Sequence, residues 1–163
     1  YFVFCPNYRM PPEVDYKGLI RDCVDSLNFV TELSKKYNIE CVIVCDTAHV
    51  FDIPNTKNIV VDKGADSVDF KLVNLLSSGD IAITQDYGLA AMCLSKNAYV
   101  LNQNGLEYTG ANISSLLETR AIAKKIRKAG GRLKGPKKRT KEQNEAFEKS
   151  LIKIIEKAIK QNA

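Results

Sequence analysis

Aspartates recur in this 163-residue chain where short apolar segments end. Asp46 closes "ECVIVCD", and Asp86 lies in "ITQDYGLA". Asp62 and Asp66 follow "NIVV", and Asp69 comes three residues after Asp66, a spacing that makes two residues neighbours on a helix. Carboxylate oxygens are the ligands that Mg²⁺ and Mn²⁺ prefer. A cation held in this way can orient a water and lower its pKa, which is the chemistry of phosphodiester hydrolysis.

Two more aspartates, Asp22 and Asp25, follow "KGLI" (17–20), which we assign to the first strand. Ligands of open α/β sheets bind beyond the carboxyl ends of the strands, where the strand-to-helix loops meet. We therefore expect four to six carboxylates to converge on one edge of the sheet, with only Arg21 and Lys63 interleaved among them. Because like charges repel, the sequence predicts a divalent cation, Mg²⁺ or Mn²⁺, at this edge.

Helix capping is an alternative explanation for each of these acids taken alone. Asp is a favoured residue at helix N-termini, where its carboxylate accepts hydrogen bonds from backbone amides. Asp25, Asp66 and Asp86 all stand where a helix is expected to begin. Capping and metal binding therefore remain alternative roles for the acids, and only their convergence favours the metal.

Apolar runs and helical periodicity alternate along the chain and must position these acids. Continuous apolar runs predict strands at 17–20, 40–46, 58–62, 80–84 and 98–102. Spacing at three and four residues predicts helices at 25–37, 67–78, 86–97, 113–129 and 141–161. Residues 104–109 could add a hairpin or an edge strand, and Thr140 with Gln143 resembles a capping box.

This order predicts an α/β fold of three layers, α/β/α, with a mostly parallel central sheet of about five strands and additional C-terminal helices. We expect one domain over residues 17–163, with residues 1–16 as an extension of little functional weight. The chain holds no run of eighteen apolar residues, and Pro and charged residues interrupt its first twenty, so we expect no membrane span or signal peptide.

Basic residues are concentrated at the C-terminal end. Residues 120–163 hold fifteen Lys or Arg against four Glu, a net charge of +11, whereas residues 1–119 hold nine against fifteen acids, a net charge of −6. The loop "GGRLKGPKKRT" brings glycines, which let a backbone approach a phosphate, together with five cations: Arg132, Lys134, Lys137, Lys138 and Arg139. These cations predict a surface that binds nucleic acid without preference for base sequence. The alternative is a solvated connector between two helices.

The five cysteines, an odd number with several in apolar runs, indicate small core residues in a reducing cytoplasm. Cys41 and Cys45 are four apart, but the chain offers one histidine, His49, and no second cysteine pair. We therefore favour buried thiols over structural zinc, and an ordinary polar role for His49.

The combination of "GAD" (64–66), "GDIAITQD" (79–86) and "GGRLKGP" (130–136) closely resembles the YaiI/YqxD family of small bacterial proteins, which is similar to the PIN-like nucleases. The resemblance covers about Tyr37 to Lys157. It implies a PIN-like domain in which acids hold Mg²⁺ or Mn²⁺ and which cuts RNA or DNA. By this resemblance, the acidic positions of the family fall on Asp66, Asp69 and Asp86.

The resemblance breaks at the front of the chain. Family members open with a strand running into Asp-x-Asp-x-x-Cys-Pro, whose first acid anchors the metal, whereas this chain has "LIRDCVDS" (19–26). One Asp, a spacer and the Pro are missing, either because the motif is degenerate or because a loop is absent. Asp22 is then a fourth catalytic and metal-binding candidate, and Asp25 its substitute.

Two functions remain open. The first is a metal-dependent nuclease with Asp22, Asp66, Asp69 and Asp86 as ligands and the basic loop holding the substrate strand. The second is a non-catalytic module that binds nucleic acid or a protein partner, with the acids as helix caps. A phosphatase or nucleotide-binding protein is disfavoured because no Gly-rich phosphate loop follows the first predicted strand.

Overall fold

The computed structural model describes residues 2–4, 16–47, 53–62, 64, 66–132 and 140–162, with the backbone alone for residues 2–4, 16–26 and 162. Six strands form one sheet: β1 (Phe2–Phe4), β2 (Cys41–Asp46), β3 (Lys57–Val61), β4 (Ile81–Ile83), β5 (Tyr99–Leu101) and β6 (Glu107–Tyr108). Their order in space is β3-β2-β1-β4-β5-β6. The first five strands are parallel, and β6 pairs antiparallel with β5 as an edge strand.

Five helices accompany the sheet: α1 (Tyr16–Tyr37), α2 (Ser67–Leu75), α3 (Tyr87–Ser95), α4 (Ile113–Lys128) and α5 (Lys141–Asn162). The predicted α/β class is confirmed, and the described sheet has six strands rather than about five. The strand predicted to end at Asp46 and the helix predicted to begin at Ser67 are both found. No helix of the described residues is long and apolar enough to cross a membrane.

The first strand was predicted at the wrong place. Residues 17–20 lie in the first turns of α1, and the first strand is Phe2–Phe4, between β2 and β4. A four-residue apolar run does not distinguish a strand from a helix, and here the helical continuation to Tyr37 prevails. Three residues of the segment predicted to be an extension therefore belong to the middle of the sheet.

The two faces of the sheet carry separate apolar cores, because successive residues of a strand point to opposite faces. Ile43 of β2 and Ile83 of β4 lie in a cluster with α1 and α5. Val44 of β2 and Ala82 of β4 lie in a second cluster with α2 and α3. The neighbouring strand residues thus anchor different helices, and the sheet is covered on both sides.

The last helix, α5, belongs to the first of these cores. Phe147, Leu151, Ile154 and Ile155 recur at helical spacing and are almost completely buried. The ring of Phe147 meets that of Phe29 on α1 edge to face, with centroids 6.4 Å apart. The C-terminal segment, which the sequence marks by its charge, is therefore also a structural part of the domain.

The capping box predicted at the start of α5 is confirmed. The amide of Gln143 donates to Thr140 Oγ1 over 3.3 Å, and the amide of Thr140 donates to Gln143 Oε1 over 3.0 Å. Two backbone donors that the first helical turn cannot satisfy are thereby paired.

The order of the strands locates the edge at which a ligand would bind. The chain moves outward from β1 to β2 and β3 in one direction, and from β4 to β5 and β6 in the other. A crevice forms beyond the carboxyl ends of the two strands at which the order reverses, here β1 and β4. The residues after β4 therefore lie at this crevice.

Candidate functional site

Asp86 follows β4 at this reversal and begins α3. The amide of buried Thr84 donates to the carbonyl of Leu101 over 3.0 Å, which ties the end of β4 to β5. Thr84 Oγ1 then accepts a hydrogen bond from the amide of Asp86 over 3.1 Å. Asp86 Oδ1 accepts from the amides of Gly88 and Leu89, at 2.7 and 3.1 Å, so Asp86 caps the N-terminus of α3 as the capping interpretation expects.

Arg120, from the middle of α4, binds the same carboxylate with both ends of its guanidinium. Nη1 donates to Oδ1 over 2.9 Å, and Nη2 donates to Oδ2 over 3.0 Å. The side chain of Asp86 is 18 % exposed and that of Arg120 is 37 % exposed, so the pair lies at the boundary of the protein interior. This two-pronged geometry is the strong form of an arginine–carboxylate pair.

The electrostatics of the pair follow from these contacts. Burial works to raise the pKa of Asp86, but the hydrogen bonds from Arg120, Leu89 and Gly88 outweigh it, and the pKa lies below its ordinary value of 3.8. The hydrogen bond to Asp86 in turn raises the pKa of Arg120. Both groups are therefore charged at neutral pH.

Asp69 lies in the same electrostatic neighbourhood. Asp69 lies in the first turn of α2 and is 8 % exposed. Burial raises the pKa of Cys93 on α3 to about 12, and the negative charge of Asp69 contributes to that shift. The charge of Asp69 also adds, after the contributions of Asp86 and Tyr87, to the raised pKa of Arg120. Of the predicted acids, Asp86 contacts Arg120 directly, whereas Asp69 acts on its pKa only through charge.

Asp66 does not serve as the helix cap that its position suggests. It precedes α2 with a left-handed φ of 61°, its side chain makes no capping hydrogen bond, and it is exposed. The loop before it is held instead by Ser67, whose hydroxyl donates to the carbonyls of Asp62 and Gly64 over 2.9 and 3.1 Å. Asp66 is therefore a solvent-facing carboxylate three residues before the buried Asp69.

Asp22 and Asp25 lie inside α1 rather than after a strand. Both are more than one helical turn beyond its first residue, Tyr16, so the expectation that Asp25 caps a helix is wrong. The strand that does come first, "FVF", carries no carboxylate, and the first acid after it in the sequence is Glu13. Of the residues that the structure describes here, Phe2–Phe4, none is the metal-anchoring acid that the family resemblance implies after the first strand.

The carboxylates of the described residues do not by themselves fit a divalent cation. Within the ranges given above, no three His, Cys, Asp or Glu residues are placed to hold a metal ion. Arg120 supplies a positive charge next to Asp86. It lies 34 residues from Asp86, and only the packing of α4 against α3 brings the two together, so no local pattern could have indicated the pair.

The cysteines of β2 behave as the sequence predicts. Cys41 and Cys45 are buried in the strand, and burial raises the pKa of Cys41 to about 11. A thiol in that state is protonated at neutral pH and is a poor metal ligand. His49 lies outside the described residues.

The basic residues at the end of α4 form an exposed surface. We call the exposed cations Lys124, Lys125, Arg127, Lys128 and Arg132 the α4 basic surface. The helix ends as the sequence predicts: Gly130 has a φ of 79°, and the amide of Gly131 donates to the carbonyl of Ile126 over 2.9 Å. The other predicted phosphate contacts, Lys134, Lys137, Lys138 and Arg139, lie outside the described residues.

Comparison with known proteins identifies the relationship. The family model described as "Uncharacterized BCR, YaiI/YqxD family" matches residues 22–157. This chain belongs to the YaiI/YqxD family. The match begins after the segment that contains β1, so the departure predicted at the front of the chain coincides with the limit of the family match.

Relatives from several bacteria share most of this length. A UPF0178 protein of Ruminiclostridium cellulolyticum is 51 % identical over 128 residues, which cover 78 % of this chain and 84 % of the relative. A UPF0178 protein of Exiguobacterium sibiricum is 44 % identical over 129 residues, 79 % of this chain and 88 % of the relative. A UPF0178 protein of Enterococcus faecalis is 43 % identical over 133 residues, 80 % and 90 % of the two chains. No solved structure matches this chain.

Proposed function

We propose that this protein binds the sugar–phosphate backbone of nucleic acid through the α4 basic surface and the basic loop that follows it. One observation carries the proposal. No acidic residue occurs between Glu118 and Glu142, whereas that stretch holds eleven Lys or Arg. Apart from Arg120, every Lys or Arg of this stretch that the structure describes is exposed. A stretch of positive charge without intervening acids attracts a polyanion and gains further affinity by releasing its condensed counterions.

The chemistry of this surface favours contact with phosphates over contact with bases. Its side chains are Lys and Arg, and residues 119–141 contain no aromatic residue that could stack on a base. Phosphate contacts position a strand and carry no sequence information. We therefore expect binding that tolerates base sequence and weakens steeply with salt.

A salt titration of two variants, each with two lysines replaced by uncharged glutamine, tests the proposal. Lys124→Gln with Lys128→Gln removes two cations one turn apart on the α4 basic surface. If each contacts a phosphate of single-stranded nucleic acid, the slope of log affinity against log salt falls by about 1.4, since each contact contributes about 0.7. The measurement is fluorescence anisotropy of a labelled oligonucleotide over a range of salt concentrations.

The matched control removes two cations from the opposite face of the sheet. Lys149→Gln with Lys153→Gln changes the net charge equally, but both residues are exposed on α5, which packs on the other side from α2 and α3. The control should keep the wild-type slope. Equal losses in the two double variants would mean that affinity follows net charge alone and would contradict a local binding surface.

A second candidate is the Mg²⁺- or Mn²⁺-dependent nuclease of PIN-like type that the resemblance implies. The observation that favours it is that Asp86 binds Arg120 while the buried Asp69 is near enough for its charge to help raise the pKa of that arginine, with the exposed Asp66 three residues before Asp69. The described carboxylates form no metal site of three ligands by themselves. Metal-dependent hydrolysis at this edge would therefore require a ligand beyond the described side chains, or the departure of Arg120 from Asp86.

Cleavage assays separate the two candidates. A nuclease should cut a labelled single strand when Mn²⁺ is added, and Asp69→Asn together with Asp86→Asn should abolish the cutting while binding persists. A binding module should retain the oligonucleotide uncut in both proteins. Equal Mn²⁺-dependent cleavage by the wild type and the double variant would remove this site from the nuclease candidate.

A further inference from the structure

The strand β3 forms an open edge of the sheet. It is the outermost strand of the described sheet, with β2 on its inner side, and it spans the five residues Lys57–Val61. The strand at the other edge, β6, is two residues long. The backbone amides and carbonyls on the outer side of an edge strand can pair with a further strand. β3 is therefore the longer of the two edges at which the described sheet could be extended.

The side chains on one face of β3 are exposed. Ile59 packs against the cluster formed with α2 and α3. Val60 points to the opposite face, where its neighbour on β2 is the buried Cys45. Val60 is nevertheless 44 % exposed, and Asn58, on the same face, is exposed as well. An apolar β-branched side chain, of the kind that favours strand pairing, is thus in contact with solvent beside an open edge.

The two ends of this edge carry opposite charges. Lys57 begins the strand and Asp62 follows its last residue, and both are exposed. A second copy of β3 running antiparallel would bring the Lys57 end of each strand beside the Asp62 end of the other. A parallel copy in register would instead place like charges side by side, which is destabilising. The charges therefore favour an antiparallel copy of the same strand as the partner.

Symmetry then restricts the register of the two strands. Residues directly opposite in an antiparallel pair point to the same face of the sheet. The two-fold axis of such a pair is perpendicular to the sheet and keeps each face, so a residue lies opposite either itself or a residue an even number of positions away. With the axis at Val60, Ile59 lies opposite Val61. Asn58 then lies opposite Asp62, so apolar residues meet apolar ones and polar residues meet polar ones. With the axis at Ile59, Val60 would instead lie opposite Asn58.

We propose that β3 pairs antiparallel with β3 of a second copy of this chain, with the two-fold axis at Val60, so that one sheet continues across both chains. The contact covers the exposed side chain of Val60 and pairs the outer backbone groups of both strands. It is isologous, because each chain contributes the same residues. This inference is independent of nucleic-acid binding by the α4 basic surface.

Sedimentation velocity of the full chain over a series of concentrations tests the dimer. The share of dimer should rise with concentration in the wild type. Val60→Lys sets two like charges opposite each other at the axis and should raise the dissociation constant of the dimer at least tenfold. Ile159→Lys adds the same charge at a residue of α5 that is 43 % exposed, and this matched control should dimerise as the wild type does. A wild type that stays monomeric, or a dimer that Val60→Lys leaves intact, would overturn the inference.

Cross-linking tests the register and decides the matter if Val60→Lys does not fold. Val60→Cys places two thiols across the axis, where the Cα atoms of opposite residues are about 4.5–5.5 Å apart and a disulfide can form. Lys57→Cys, on the same strand, is the matched control, because its two copies would be six residues of strand, or about 20 Å, apart. After oxidation with diamide, Val60→Cys should give more covalent dimer on non-reducing electrophoresis than the wild type, whose native cysteines set the background, and Lys57→Cys should not. Equal cross-linking of the two variants would refute the register, and so would a Val60→Cys variant that stays at the background.

Discussion

Replacing Asp86 by alanine removes a helix cap and an ion pair at once, and the structure allows the two losses to be estimated separately. Loss of an N-cap costs about 1 kcal/mol. The pair with Arg120 has two-pronged geometry, but the arginine is 37 % exposed, so solvent screening places its contribution at about 1 kcal/mol, the upper end for exposed pairs. We therefore expect Asp86→Ala to lower the free energy of unfolding by about 2 kcal/mol.

Asp86→Asn separates these contributions. Asparagine caps a helix as well as aspartate does, so this variant should retain the two amide bonds and lose the ionic part, about 1 kcal/mol. For a chain of this length each kcal/mol lowers the melting temperature by about 2–4 °C. Thermal unfolding should therefore place Asp86→Asn midway between the wild type and Asp86→Ala.

The assay that isolates the pair is a double-mutant cycle of Asp86→Asn and Arg120→Met, followed by urea unfolding. The two single losses should together exceed that of the double variant by about 1 kcal/mol, because either substitution alone breaks the same interaction. Arg127→Met, exposed on the same helix, should change stability by less than about 0.5 kcal/mol. Additive losses within about 0.3 kcal/mol would refute the claim that Arg120 and Asp86 interact.

Three further predictions test the fold around the site. Leu151→Ala, fully buried on α5, should cost about 2–5 kcal/mol in urea unfolding, whereas Ile159→Ala, 43 % exposed, should cost far less; equal losses would contradict the place of α5 in the core. Gly105→Ala should unfold at lower temperature, because Gly105 has a φ of +88° and an added Cβ would lie 2.6 Å from a backbone oxygen of α5; an unchanged melting temperature would contradict that packing. Cys41 and Cys93 should resist alkylation in the native protein at pH 8, since burial raises their pKa values to about 11 and 12, and should react after denaturation; rapid native labelling detected by mass spectrometry would contradict their burial.

Sequence patterns predict most of the secondary structure because the relevant signals are local. The run at 40–46 is apolar on successive residues, as a strand buried on both faces must be, and β2 is found at Cys41–Asp46. The capping pair of Thr140 and Gln143 is separated by three residues, so one helical turn suffices to bring its partners together. In both cases the physical cause acts within a few residues.

The position of the first strand could not be predicted in this way. The three residues Phe2–Phe4 are too few to show a periodicity, and "KGLI" is as apolar without being a strand. What places Phe2–Phe4 in the sheet is parallel pairing on both sides, with Cys41–Ile43 and with Ile81–Ile83. Those partners are about forty and eighty residues away, so the strand exists because of tertiary contacts.

The charges of the candidate site also divide into features that the sequence determines and features that depend on the tertiary structure. The amino-acid sequence by itself determines an acidic body, a basic C-terminal segment, the capping position of Asp86 and membership of a bacterial family, because these depend on composition and near neighbours. Only the tertiary structure decides which charge balances which. Packing of α4 against α3 carries Arg120 to Asp86, whereas Asp66, before α2, is exposed to solvent. Short-range electrostatic contacts depend on distance in space rather than on separation along the chain.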